Sequence, residues 1–137
     1  MGDMFNTSMI SAMGMKAQSE RSRVIAENIA NASTTGLKPG EEPYNRKIIT
    51  FKNEMDKQNG TDLVKVKDII DDKKSEFPLK FMPDHPAADA SGYVKMPNVS
   101  MVVELTDMRE AQRSYEANLG MMEQSKEMAM RTIDMLR

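Results

Sequence analysis

Residues 99–136 read VSMVVELTDMREAQRSYEANLGMMEQSKEMAMRTIDML. Within them Met101, Leu105, Met108, Gln112, Tyr115, Leu119, Met122, Lys126, Ala129, Ile133 and Leu136 recur at alternating spacings of four and three. That alternation averages 3.5 residues and predicts a helix with one heptad seam along its length. Nine of the eleven positions are apolar or aromatic, and Gln112 and Lys126 break the row. The helix is expected over about Val99 to Leu136, roughly 57 Å at 1.5 Å per residue. Glu127 with Arg131 and Glu110 with Arg113 would add surface support at helical spacing. Gly120 lies inside and costs about 1 kcal/mol relative to Ala, with a kink or a close helix contact as its expected reason.

A second helix is expected near the N-terminus, starting after the capping oxygens of Asn6-Thr7-Ser8 and running to about Asn31. Ile10, Met13, Ala17, Val24, Ile25 and Ile29 form its stripe, interrupted by Arg21 and Asn28. Asn31 through Gly36 should end it, because Asn and Gly tolerate left-handed backbone angles.

Between the helices, residues 36–97 hold all six prolines and four of the seven glycines. Short runs at Lys47–Phe51, Leu63–Ile70, Phe77–Phe81 and Tyr93–Met96 suit strands, with Val64 and Val66 alternating with lysines. Asn59-Gly60 is a hairpin signal between the first two runs. The expected fold is therefore mainly α. Residues 1–35 give the N-terminal helix, 36–97 an extended loop and small β region, and 98–137 the heptad helix, the two long helices forming a coiled-coil pair.

The composition excludes several classes. Among 137 residues there is no cysteine, so disulfides, thiol catalysis and cysteine-ligated metals are out. A balance of 19 basic and 21 acidic residues gives no basic face for nucleic acid. The longest uncharged run, Met4 to Met15, has 12 residues and is too short for a direct membrane span. No cleaved signal peptide and no myristoylation pattern is expected at the N-terminus. Of the 15 methionines, five fall in Met1–Met15 and seven in Met101–Met135. A thioether fills uneven apolar gaps, so both ends read as packing surfaces.

Catalytic apparatus is absent from the sequence. The one histidine, His85, lies in Pro83-Asp84-His85-Pro86. With Asp84 and Asp89 it makes a poor ligand set, and a turn-fixing role is expected instead. No nucleophile elbow, P-loop or dinucleotide fingerprint accompanies it. Asp71-Asp72 runs into Lys73-Lys74, as a solvated charged turn does. No enzyme, cofactor or metal site is expected. A long helix with a continuous seam cannot bury it against a weak helix of some 25 residues. Assembly with other subunits is the favoured reading, against a plain helical hairpin in a monomer.

Two stretches carry a resemblance. Ala17-Gln18-Ser19-Glu20-Arg21 through Asn28-Ile29-Ala30-Asn31-Ala32-Ser33-Thr34-Thr35-Gly36 resembles the N-terminal signature of bacterial flagellar rod and hook proteins. Phe81-Met82-Pro83-Asp84-His85-Pro86-Ala87-Ala88-Asp89-Ala90, then Gly92 to Val99, is similar to the segment typical of the proximal rod members of that family. Pro43-Tyr44-Asn45-Arg46 and Glu104 to Asn118 continue the likeness. Asp84 departs from it, since a glycine is common there.

The resemblance implies a structural protein of the basal body, exported by the flagellar type III apparatus into the periplasmic rod. Terminal helices would form an inner layer around a channel, giving a drive shaft that transmits torque. The implied neighbours are copies of the chain itself, the rod proteins FlgB, FlgF and FlgG, and the base adaptor FliE. Ile10, Met13, Ala17, Val24 and Ile29 are expected to pack on Met101, Leu105, Met108, Tyr115, Leu119, Met122, Ile133 and Leu136. The same helices would then pack laterally on neighbours. Asn28, Asn31 and Gly36 should set the exit of the first helix. Asp84, His85, Pro86, Pro97 and Asn98 should shape the return into the last. The competing class is a soluble helical adaptor or export chaperone that uses the methionine-rich seam as a groove. Another rod or hook component is the nearest alternative within the family.

Overall fold

The computed structural model describes residues Gly2–Arg137. Its elements are α1 (Gly2–Ala30), β1 (Lys47–Asp56), β2 (Thr61–Asp71), β3 (Leu79–Phe81), β4 (Tyr93–Lys95) and α2 (Met101–Met135). The protein is thus mainly α, with strands confined to the middle. Both helices are close to the expected spans. α1 begins earlier than expected, at Gly2. Thr7 is no cap: its hydroxyl donates to the Asp3 carbonyl at 2.8 Å, one turn back inside the helix. Asp3 in the first turn favours this start through the helix dipole.

The exit of α1 also differs from expectation. Among the described residues only Gly40, Gly60 and Gly92 have positive φ. The helix closes instead through Asn31, whose amide donates to the Glu27 carbonyl at 2.9 Å. The Ala32 and Thr34 N–H groups then tighten the turn on Ile29 and Asn31. Gly36 serves close approach: an added Cβ would lie 2.8 Å from the Glu41 carbonyl oxygen.

β1 and β2 form one two-stranded sheet and β3 and β4 another. The β1–β2 connection is too short for a crossover, so the pair is an antiparallel hairpin. Its turn carries Gly60 at φ 62° and closes with Gly60 N–H on the Asp56 carbonyl at 2.8 Å. β3 and β4 pair antiparallel, with Lys80 opposite Val94 and Phe81 opposite Tyr93. The two rings meet edge to face, centroids 5.3 Å apart. Within β2 it is Leu63 that is buried, while Val64 is exposed, so the valine alternation does not mark the covered face.

The chain divides into two compact units. The first comprises Met1–Ser22, Ile49–Asp68 and Arg109–Arg137; the second comprises Arg23–Ile48 and Ile69–Met108. In the first, α1 and α2 segments run antiparallel. Arg21 pairs with Glu110, Gly14 meets Asn118, and Met4 and Thr7 share a groove with Met121 and Ser125. An added Cβ on Gly14 would stand 2.9 Å from the Asn118 amide nitrogen, so glycine permits that approach. Among the described residues the buried ones here are Ser11, Ala17, Leu63, Ala111 and Ser125, and all but Leu63 are small. In the second unit Val24, Ile25, Ala87, Val94 and Pro97 are buried, and so are the polar residues Asn28, Asp72 and Glu104.

Candidate assembly site

Two features organise the site: a saturated polar cluster in the second unit, and the faces that α1 and α2 leave uncovered. At the cluster's centre Asn28 is 1% exposed and Glu104 is 0% exposed. The Asn28 Oδ1 accepts the Lys47 N–H and the Tyr44 hydroxyl, each at 2.9 Å. Its Nδ2 donates to the Lys47 carbonyl at 2.9 Å and to Glu104 Oε2 at 3.2 Å. All four hydrogen-bonding positions of the amide are thereby used. The other Glu104 oxygen accepts from Arg46 Nε, and Arg46 Nη2 lies 3.7 Å from Asp107. Lys47 reaches back to Glu27 on α1. A buried carboxylate is tolerable only when paired and hydrogen-bonded in this way.

Burial pushes the Tyr44 hydroxyl up to about 12, and the carboxylates of Glu27, Asp71 and Glu104 add to that. The hydroxyl therefore stays a donor to Asn28 at any ordinary pH. Below this, Asn98 fixes the start of α2. Its Oδ1 accepts the Arg46 N–H at 2.7 Å, and its Nδ2 donates to Asn45 Oδ1 and the Asp72 carbonyl. Asp72 caps its own turn. The Ser75 hydroxyl, opposed by desolvation, and the Lys74 and Ser75 N–H groups hold its carboxyl below the usual range.

The His85 ring bonds at both nitrogens. Its Nδ1 accepts the Ala87 N–H at 3.0 Å, which leaves Nε2 to carry the proton toward Thr35 Oγ1 at 3.2 Å. The loop after β3 is thereby tied to the loop after α1. Among the described residues no group of three acids or histidines is placed to hold a metal ion.

The faces of the helices differ from the expected packing. On α1 the covered positions include Ser11, Ile25 and Asn28, with Gly14, Gln18 and Arg21 half-covered between them. Arg21 and Asn28, which interrupt the apolar stripe, are therefore on the inner face. Each is there because it has a polar partner, Glu110 and Glu104 respectively. On α2 the best-covered positions are Glu104, Ala111 and Ser125, with Asn118 and Thr132 half-covered. These stand seven apart and lie beside the apolar seam, not on it. A seam of small and polar residues lets the chain's own helices approach closely.

The sequence-derived packing residues are accordingly spread. Ala17 and Val24 are buried; Met13, Ile29, Met108, Leu119 and Met122 are half-buried; Ile10, Met101, Leu105, Tyr115, Ile133 and Leu136 are exposed. Of the turn residues, Asn28, Gly36 and Pro97 are buried, Asn31, His85 and Asn98 half-buried, and Asp84 and Pro86 exposed. Glu127 pairs with Arg131 as spaced, whereas Glu110 pairs across with Arg21. An added Cβ on Gly120 would meet nothing within 4 Å, so no contact within the chain requires that glycine. Asp72, expected with Asp71 in a solvated charged turn, is instead buried, because the Ser75 hydroxyl and the Lys74 and Ser75 N–H groups satisfy its carboxylate. Tyr44, Arg46 and Glu104 stand in the stretches that carry the resemblance, but no pattern marked their side chains as a cluster. The one signal for Glu104 was a charge set among Met101, Val102, Val103 and Leu105.

Residues 10–38 match the family model described as flagella basal body rod protein. Residues 90–135 match that of the flagellar basal body rod FlgEFG protein C-terminal. The chain is 47% identical to the flagellar basal-body rod protein FlgC of Agrobacterium fabrum, over 95% of this chain and 93% of the relative. Identity to the Salmonella typhimurium FlgC is 40%, over 90% and 91%. To that of Aquifex aeolicus it is 38%, over 98% of both. Two helix-bearing segments match rod models, and the likeness runs nearly end to end in distant bacteria: the chain belongs to the FlgC family of flagellar basal-body rod proteins.

Proposed function

We propose that the chain polymerises through its terminal helices into the proximal rod, as part of the shaft that crosses the periplasm, carries torque and encloses the export channel. As a member of a structural family, it is a rod subunit of the basal body and not an enzyme. In the proposed arrangement residues 1–35 and 98–137 form an inner coiled-coil domain, and residues 36–97 the loop and β region beside it. The neighbours are further copies, FlgB, FlgF, FlgG and FliE, reached through the flagellar type III export apparatus. No helix among the described residues is long and apolar enough to cross a membrane.

One observation carries this reading. The heptad seam of α2 is largely uncovered, with Ile133 52% exposed, while the helix spends a small polar face on its own chain. Contiguous exposed apolar surface marks an interaction site. A heterologous contact that does not close on itself yields a helical tube. In that tube Ile10, Met101, Leu105, Tyr115, Leu119, Ile133 and Leu136 would meet neighbours.

The test is an in-frame deletion restored by a second copy, with electron microscopy of the cell envelope. The expected result is loss of hooks and filaments with the membrane ring kept, and rescue by the second copy. Intact flagella in the deletion strain would remove the rod role.

A further inference from the structure

Asn59-Gly60 is the only Asn-Gly pair among the chain's eight asparagines. Both residues are exposed at the tip of the β1–β2 hairpin, within the first unit. An asparagine before a glycine is open to attack on its side-chain carbonyl carbon by the next backbone nitrogen, because glycine has no β-carbon in the way. In this turn one residue holds both reacting groups. The Gly60 N–H donates to the Asp56 carbonyl at 2.8 Å, and Asn59 Nδ2 donates to Asp56 Oδ2 at 2.8 Å. Asp56 Oδ1 also accepts the Gln58 N–H at 3.1 Å, and the Thr61 hydroxyl donates to the Asn59 carbonyl at 3.3 Å. The nucleophile is therefore pinned to a carbonyl, and the leaving amide to a carboxylate.

We propose that Asn59 is a deamidation site that the hairpin turn holds shut, with Asp56 as the latch, so that a chain is modified only while this turn is open. In the open chain hydroxide takes the Gly60 N–H proton. The nitrogen then bonds to Asn59 Cγ, the Cγ–Nδ2 bond breaks, and the amide nitrogen gains a proton from water and leaves as ammonia. Water adds to one of the two carbonyls of the five-membered imide. Breaking the new bond gives aspartate; breaking the original peptide bond routes the main chain through the side chain as isoaspartate. No electrons are exchanged: one water is consumed and one ammonia released. In the closed turn, loss of the Gly60 proton would set an anionic nitrogen against the Asp56 carbonyl oxygen, and the nearby carboxylate adds to that repulsion. The carboxylate's bond to Nδ2 also feeds electron density into the Asn59 amide, which makes Cγ a poorer electrophile. Either product replaces the Nδ2 donor with a carboxylate oxygen facing Asp56, so the latch cannot close again. Time spent with the turn open is thereby recorded in the hairpin, whether or not the chain assembles.

Two measurements test this. The purified full chain is held at mildly alkaline pH in buffer and in urea. Deamidation is mapped by peptide mass, and isoaspartate by methyl labelling with an isoaspartyl methyltransferase. In urea Asn59 should be modified ahead of every other asparagine, and in buffer at least about tenfold more slowly than in urea. Equal rates in the two conditions would overturn the shield, and a faster asparagine elsewhere in urea would overturn the site. In buffer, Asp56→Ala should raise the Asn59 rate about tenfold, whether it frees the side chain alone or the whole turn. Asp56→Asn, which keeps an acceptor oxygen without the charge, should fall between. An Ala variant as slow as the parent chain, or an Asn variant as fast as the Ala variant, would overturn Asp56 as the latch.

Discussion

The first unit and the second are held by opposite means. In the second, Asn28, Tyr44, Arg46, Asn98 and Glu104 exchange directional hydrogen bonds with no position of the central amide left over. In the first, Gly14 meets Asn118, Ser11 is buried, and among the described residues only Ala17, Leu63 and Ala111 are buried apolar residues. A network of that kind specifies one geometry and is complete within the chain. Small-residue contact permits closeness yet removes little apolar surface from water, so it stabilises little by itself. In the proposed assembly, neighbours would supply the cover that the first unit's few buried apolar residues do not.

The sharpest way to break that contrast is to truncate the cluster. Glu104→Ala leaves buried Asn28 and half-buried Arg46 without their partner and should cost about 2–3 kcal/mol in urea unfolding, less than a wholly buried pair because Arg46 keeps Asp107 and part of its hydration. A loss below about 1 kcal/mol would mean that the second unit does not depend on its network.

Hydrogen exchange on a dilute subunit sharpens the contrast further. Amides at 24–30 and 102–108 should exchange more slowly than those at 5–20 and 112–134, because local opening follows local burial. Slow exchange throughout residues 7–31 would remove the difference between the units.

Alkaline titration gives a smaller effect. Tyr44 is raised from 10.0 to about 12 on folding, so the folded state holds its proton longer than the unfolded one. Its contribution is intact below pH 10 and is lost as pH rises through about 12. The change should be about 1 kcal/mol after solvent screening, and Tyr44→Phe should flatten the stability profile in that window. An unchanged slope in the Phe variant would assign the loss to other groups. Asp72 acts at the other end: its carboxyl is held low, so its contribution is present above the ordinary carboxylate range and falls away in acid.

The smallest effect on the free chain should come from Ile133→Asp. At an exposed site it should shift unfolding by no more than about 0.5 kcal/mol. Yet it should abolish swimming in a complemented deletion strain while export continues, as should Leu119→Asp. A normal halo from either would separate the uncovered seam from assembly.

The helices, the Asn59-Gly60 hairpin and the extended runs that become β3 and β4 were legible because each has a local cause: helical spacing, a positive-φ turn, and short runs near prolines; the pairing of β3 with β4 was not. The inner faces were not. Apolar periodicity locates what avoids water, and here much of that surface is outward. Arg21 and Asn28 looked like interruptions because their partners, Glu110 and Glu104, lie far along the chain. Thr7 looked like a cap because its preference for that place does not exclude bonding back inside a helix. The packing residues named from periodicity remain proposals for contacts with neighbours.

Glu104, Ala111, Asn118, Ser125 and Thr132 recur every seven residues, and so does the apolar seam beside them. Two tracks of equal period on one helix never drift apart, however long it runs. A period of 3.5 on a 3.6-residue helix imposes a left-handed supercoil. In the proposed coiled-coil arrangement, helices lying in either track would wind with the same hand. A shaft laid up from such strands behaves like rope: turned one way its lay tightens, and turned the other it slackens. Resistance to twist would then be unequal in the two senses of rotation, a property set by residue spacing alone.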